Sequence, residues 1–128
     1  MGYTLRWEPL HWTDFTYKGI LSVLPTILEG PYRLNIWGFS IGPDENNCTP
    51  FLRSGEGYCW DKTNRLPYTK DVMRALILMV EHGVTSGLNH DDADMTWYLE
   101  ALEAVHAVRP LATYEQQKEY FLTLNAQE

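Results

Sequence analysis

The densest group of potential ligands in the sequence is a short acidic run with one histidine, His90, Asp91, Asp92 and Asp94. Carboxylate oxygens and an imidazole are ligand types that bind divalent cations. A calcium loop counted from Asp92 would place Trp97 at its sixth position, where the sharp turn requires glycine. Acidic residues at a helix start also stabilise it through the helix dipole, by about 0.3–1 kcal/mol each. We therefore interpret the run as the N-terminal cap of a helix and keep a metal site as the alternative.

A second group mixes aromatic and cationic side chains in a stretch that is rich in proline and glycine. Arg53, Tyr58, Trp60 and Arg65 fall within residues 43–67, the least regular part of the sequence. A long loop of this kind in a compact domain is often functional. Aromatic rings and cations together stack on nucleotide bases, and they are also common in protein contacts. Three interpretations of the segment stay open: a structural loop, a protein contact surface and a nucleotide site.

No combination of nucleophile, base and cofactor motif identifies an enzyme. The histidines lack the H-x-x-x-H and H-E-x-x-H spacings of metal ligands. Cys48 and Cys59 have no catalytic signature around them, and we expect free thiols, with a disulfide as the alternative. The G-x-S-x-G, Walker A and Rossmann glycine patterns do not occur. The sequence therefore favours a protein without catalytic activity, and it predicts neither a cofactor nor a bound metal.

The net charge of −7 comes entirely from the C-terminal part of the chain. Residues 1–80 hold eight acidic and eight basic side chains, whereas residues 81–128 hold nine acidic ones and two basic ones, Arg109 and Lys118. Phosphate contacts require lysine and arginine, so we do not expect this part to bind nucleic acid directly. An acidic surface suits a basic protein partner, although it also simply keeps exposed helix faces hydrated. The acidic residues that we assign to a binding surface are Asp91, Asp92, Asp94, Glu100 and Glu103.

The N-terminal half alternates between strand and helix patterns. Residues 3–8 alternate in polarity and predict a strand. Thr13 is expected to cap a helix that reaches about residue 29 and is kinked or restarted at Pro25. Residues 32–41 follow a period of two and predict one strand, with shorter strands expected in the irregular segment after it.

The C-terminal half shows helical patterns. Residues 70–82 are apolar on nearly all sides, which predicts a buried central helix, capped by Thr69 and ended at Gly83. A second helix should begin within residues 91–94 and end before Pro110.

Side-chain pairs are also expected in these last two helices. Glu103 and His106 lie three residues apart, so they should meet on one helix face. Thr113 should open the last helix and form a capping box with Gln116.

These elements predict an α+β fold in which a small antiparallel sheet packs against three to four helices and the C-terminal half is all helical. We expect a single globular domain over residues 1–128, with an irregular loop at 43–67 and a frayed tail at 125–128. The sequence contains no apolar run of the roughly 20 residues that cross a bilayer, and it shows no export signal. The expectation is a cytoplasmic protein without membrane contact, and a homo-oligomer is left open.

Two functions of different classes follow from these observations. The first is a small acidic protein-binding module or inhibitor that docks on a basic protein. Bacterial immunity proteins and phage-encoded inhibitors are similar to it in size and charge, which is an analogy and not a family assignment. The alternative is a small enzyme or a ligand- or nucleotide-binding domain. Its pocket would lie between the 43–67 loop and the helices, with His90, Asp91, Asp92 or Asp94 as its polar groups.

Overall fold

The chain forms four helices and six short strands in the computed structural model, which describes residues 4–54, 60–62, 67–86, 88–89 and 95–126. The predicted α+β class is confirmed, and three of the four helices lie in the C-terminal half. In chain order the elements are β1 (Thr4–Trp7), α1 (Asp14–Ile27), β2 (Tyr32–Asn35), β3 (Gly38–Ile41), β4 (Thr49–Leu52), β5 (Trp60–Lys62), α2 (Tyr68–Glu81), β6 (Leu88–Asn89), α3 (Met95–Val108) and α4 (Tyr114–Ala126).

The strands make two small antiparallel sheets that share one core with the helices. The first has the order β5-β1-β6 and the second has the order β2-β3-β4. Trp7 of β1 lies with its ring centroid 5.5 Å from that of Phe51 in β4, and Phe51 lies 5.2 Å from Phe39 in β3. These buried rings join the two sheets, because large aromatic side chains contribute much of the apolar area that a small domain buries.

The segment predicted as one strand over residues 32–41 is a hairpin. Strands β2 and β3 pair from Tyr32 with Ile41 to Asn35 with Gly38, and Ile36 and Trp37 form the turn. Gly38 makes this hairpin fit against β4, since it has φ +152° and a Cβ there would lie 2.0 Å from the Phe51 carbonyl oxygen. The alternation of side chains with a period of two continues through Ile36 and Trp37 in the sequence, so this pattern did not reveal the turn.

Helix α1 begins where its cap was expected. Thr13 is the N-cap, and its hydroxyl accepts a hydrogen bond from the Thr16 N–H at 3.0 Å, while the Thr16 hydroxyl accepts one from the Thr13 N–H. The helix continues through Pro25 to Ile27 without restarting. Its buried stripe, which fixes the helix on the core, consists of Tyr17, Ile20, Val23, Leu24 and Ile27.

Helix α2 is the central core element, as its all-round apolar pattern predicted. The predicted cap was wrong: the N-cap is Pro67 and not Thr69, which lies fully buried inside the first turn. At the other end the expected glycine is present. Gly83 has φ +74°, its N–H donates to Val80, and the N–H of Val84 donates to Met79 at 2.9 Å. This pair of bonds is a Schellman motif and satisfies carbonyls at the helix end.

Helices α3 and α4 pack together through Tyr98 and Phe121, whose ring centroids lie 3.8 Å apart. The start of α4 is stabilised differently from the predicted capping box. The Thr113 N–H, which Gln116 would accept in a capping box, donates instead to the Glu81 carboxylate of α2 at 2.9 Å, and the Thr113 hydroxyl accepts from the Gln117 amide at 2.8 Å. A carboxylate from another helix therefore takes the part that Gln116 was expected to play.

Candidate functional site

Several of the predicted site residues lie outside the described residues, namely Tyr58, Arg65, Asp91, Asp92 and Asp94, as does His90. Trp60 is described as part of β5, where it pairs with Arg6 of β1. Cys59, the other half of the alternative disulfide, also falls outside. Within the part of the chain that is described, no group of three His, Cys, Asp or Glu side chains could hold a metal ion. The metal alternative for the acidic run remains a hypothesis.

Arg53 holds the β2–β3 hairpin against the start of α1. Its backbone N–H donates to the Trp37 carbonyl at 2.8 Å, and its guanidinium contacts Asp14 at 2.5 Å. The guanidinium also lies 4.8 Å from the centroid of the Tyr17 ring. Burial raises the pKa of Tyr17, and the charge of Arg53 offsets part of this rise. Three contacts within the chain give this predicted binding residue a structural part in the fold.

The hairpin beside Arg53 exposes apolar side chains that the sequence patterns did not single out. Ile36 is fully exposed at the turn, and Leu34 and Trp37 are also exposed. The sequence had predicted these residues inside a strand, where alternation implies that one face is covered. A turn signal such as Asn-Gly would have revealed the exposure, but Ile36 and Trp37 are not turn-forming residue types.

Glu100 and Glu103 belong to a larger group of exposed carboxylates. They lie on the solvent side of α3, and Glu115 and Glu119 lie on the solvent side of α4. Lys118 of α4 places its Nζ 3.7 Å from the Glu103 carboxylate, so the exposed sides of the two helices meet. We call this group the acidic helical surface: Glu100, Glu103, Glu115 and Glu119.

Glu103 is tied into contacts within the chain. It accepts a short hydrogen bond from the Tyr114 hydroxyl, and that hydroxyl also accepts one from Lys118 at 3.2 Å. The predicted pair of Glu103 with His106 is replaced, because His106 stacks on the Tyr114 ring at 4.0 Å and accepts from the Leu111 N–H at 3.0 Å. His106 is therefore a structural histidine of the α3–α4 turn, and Glu100 and Glu119 are left as exposed carboxylates.

A cleft of about 700 Å³ opens at the start of α2. This volume lies within the range of small-molecule sites. Four segments line it: the α1–β2 connection, the bend after β3, the first turn of α2 and the first turn of α3. The lining residues that present rings or charge are Glu29, Pro31, Pro43, Pro67, Tyr68, Lys70, Asp71 and Trp97.

The charged side chains of this cleft differ in the kind of partner that they contact. Asp71 is 4% exposed, and its carboxylate accepts from the N–H groups of Glu29 at 3.0 Å and Gly30 at 2.8 Å. The Glu29 carboxylate is paired with Arg74 at 3.1 Å. Lys70 instead has its ammonium 4.8 Å from the centroid of the Trp97 ring. Both carboxylates of the cleft therefore have partners within the chain, whereas the lysine rests on an aromatic face.

Comparison with known proteins gives no relative from which to argue. No family model matches the chain, and neither a curated protein nor a solved structure shows significant similarity to it.

Among the described helices, none has both the length and the apolar character that a membrane crossing requires.

Proposed function

We propose that the protein is a non-enzymatic, acidic binding module or inhibitor that docks on a basic protein through the acidic helical surface. The observation that carries the proposal is the placing of exposed carboxylates on adjoining sides of α3 and α4. Lys118, the cation that lies among them, already contacts Glu103 and the Tyr114 ring. The surface therefore presents mainly negative charge to an incoming partner.

An apolar side chain on α4 gives this surface a candidate for an anchoring contact. Leu122 is about half exposed, at 49%, and it lines the same hollow as Glu115, Lys118 and Glu119. Binding energy in protein interfaces is concentrated in a few side chains that become buried. We expect Leu122 to supply contact area, while the carboxylates select a basic partner.

Electrostatics should act mainly on the rate and selectivity of docking. Complementary charge speeds association and suppresses partners of the wrong sign, and its effect weakens as salt screens exposed charges. The net charge of −7 lies in the same part of the chain as the acidic helical surface. A partner bound in this way should therefore be released by salt.

The test is a charge reversal with a matched control. The variant E100K/E119K reverses one exposed carboxylate on each helix, and Glu115 is kept because it favours the start of α4. The control E8K/E45K makes the same change in net charge at residues far along the chain from α3 and α4. Wild type and both variants are used in parallel to capture proteins from the source lysate, and circular dichroism confirms folding.

The expected result is a basic protein that wild type and E8K/E45K retain and that E100K/E119K does not. The purified pair should then bind at least about tenfold more weakly when salt rises from about 0.05 M to about 0.5 M. A captured protein that E100K/E119K retains as well as the control does would show that the acidic helical surface is not the docking site. A captured protein without net positive charge would overturn the partner class.

A further inference from the structure

We propose that the cleft at the start of α2 binds a small organic carboxylate with a flat apolar body, held by the Lys70 ammonium. The residues that line the cleft are different from those of the acidic helical surface, so this inference does not depend on the function proposed above. It uses Lys70 and Trp97, which the sequence patterns placed at a helix start and beside the acidic run without assigning either to a site.

The sign of the ligand's charge follows from the partners of each charged side chain in the cleft. Asp71 is buried and occupied by two backbone N–H groups, and Glu29 is paired with Arg74. Lys70 is exposed, and no carboxylate among the described residues pairs with it. An ammonium that rests on a ring gains further from a carboxylate, because charge-assisted hydrogen bonds are the strong ones. The ligand that complements the cleft therefore carries negative charge.

The cations among the described residues favour a ligand with about one negative charge. Lys70 is the cation among the described residues that line the cleft. Arg74, which pairs with the lining residue Glu29, also donates from its guanidinium to the Ile27 carbonyl at 2.9 Å. A phosphate dianion is usually held by several donors or by an arginine fork, so these described residues suit a carboxylate better than a phosphate.

The shape of the ligand follows from the walls. Three proline rings line the cleft, and the Trp97 ring, which is half-buried, stands among them. Flat apolar groups pack well on aromatic faces, and sites of this size are lined mainly by apolar side chains with a few polar groups that fix orientation. Lys70 sits beside Trp97, so a flat body against the ring would bring its carboxylate near the ammonium.

The test uses naphthoate and its neutral analogue naphthamide as probes. Binding is followed by the NMR shifts of the Trp97 indole N–H and by saturation transfer to each probe. The variant K70M removes the charge and keeps the length of the stem. The control K18M changes an exposed lysine of α1 that does not line the cleft. The variant W97A removes the wall and leaves the charge in place.

We expect saturable binding of naphthoate to wild type and K18M, and binding about tenfold weaker to K70M. Naphthamide should bind wild type about tenfold more weakly than naphthoate and should not distinguish K70M from wild type. W97A should weaken the binding of both probes by a similar factor. The proposal is overturned if naphthoate does not saturate, or if K70M binds it as K18M does. Tighter binding of phenyl phosphate than of naphthoate would show that the carboxylate class is wrong.

Discussion

At the scale of single residues, Asp71 shows how a buried charge fixes a connection. Its two carboxylate oxygens accept the N–H groups of Glu29 and Gly30, which follow the end of α1. Gly30 leaves room for this contact, since a Cβ there would lie 2.9 Å from the Asp71 Oδ2. A buried carboxylate is tolerated where its oxygens are hydrogen-bonded. Asp71 thereby holds one wall of the cleft against α2.

Replacing Asp71 with asparagine should destabilise the protein by about 1–3 kcal/mol, because an amide N–H₂ would then face a backbone N–H. Asp44 provides an exposed comparison, since its Oδ1 alone accepts two backbone N–H groups, from Asn46 and Asn47, and the amide oxygen of an asparagine keeps both bonds. D44N should therefore lose less stability than D71N, and urea unfolding of the two variants measures the difference. Equal losses in the two variants would show that Asp71 does not need an acceptor at both of its oxygens.

Single residues were predictable from the sequence where their position on a helix decided their surroundings. Glu100 and Glu103, which the sequence assigned to an exposed binding surface, lie on the solvent side of α3. The partners of Glu103 and His106 were not predictable, because the turn before α4 returns Tyr114 over His106. Such contacts depend on the path of a loop, which periodicity does not describe.

At the scale of elements, the β2–β3 hairpin depends on one glycine. A Cβ at Gly38 would collide with the backbone of Phe51, and the backbone of Gly38 has a positive φ. At Gly83 the φ is also positive, but no atom lies within 4 Å of the added Cβ. An alanine at Gly83 therefore has only the free-energy cost of a side chain at positive φ, whereas an alanine at Gly38 also has the cost of a steric collision.

We expect G83A to cost about 1 kcal/mol, which is the strain of a left-handed residue with a side chain. G38A should cost at least about 2 kcal/mol more, because β3 must also move away from β4. Thermal unfolding of the two variants gives the comparison. If G38A loses no more stability than G83A, the close approach of β3 to β4 is not required for the fold.

Elements were predictable where composition and period agreed. Helix α2 was identified as central because it is apolar all round, and Thr13 was identified as a cap by its position before a helical stripe. The hairpin was missed because Ile36 and Trp37 prolong a strand pattern through a turn. The Thr69 cap was wrong because the helix begins one residue before it, at Tyr68.

At the scale of the whole molecule, the fold class could be predicted but the pairing of its parts could not. Strand β1 pairs with β5 and β6, so Arg6 lies opposite both Trp60 and Asn89. Pairings between distant segments leave no periodic signal in a single sequence. The cleft also leaves no periodic signal in the sequence, since the four segments that line it come from separate parts of the chain. The sequence suggested a pocket beside the 43–67 loop, but it did not identify Lys70 or Trp97.

The junction of α2 with α4 should make the stability of the whole molecule depend on pH. Glu81 accepts from the N–H groups of Ala112 at 3.0 Å and Thr113 at 2.9 Å. Burial on its own raises the pKa of Glu81, but these hydrogen bonds outweigh it and lower the pKa below 4.5. The next residue, His82, has a pKa below 6.5, because burial and then the charge of Arg109 disfavour its protonation.

Both shifts have the same consequence in acid. The unfolded chain binds a proton on His82 before the native state does, so the free energy of unfolding should begin to fall as pH drops below about 6.5. The contribution of Glu81 to the free energy of unfolding is fully present above about pH 4.5, and it is lost as pH falls through the lower native pKa of Glu81.

E81Q should lower the free energy of unfolding by about 1–2 kcal/mol at neutral pH, and below about pH 4.5 this free energy should decline less steeply than in wild type. Urea unfolding across this pH range measures both effects, with E100Q as an exposed control that should follow wild type. If E81Q declines in acid as steeply as wild type, the Glu81 carboxylate is not what makes the α2–α4 junction sensitive to acid.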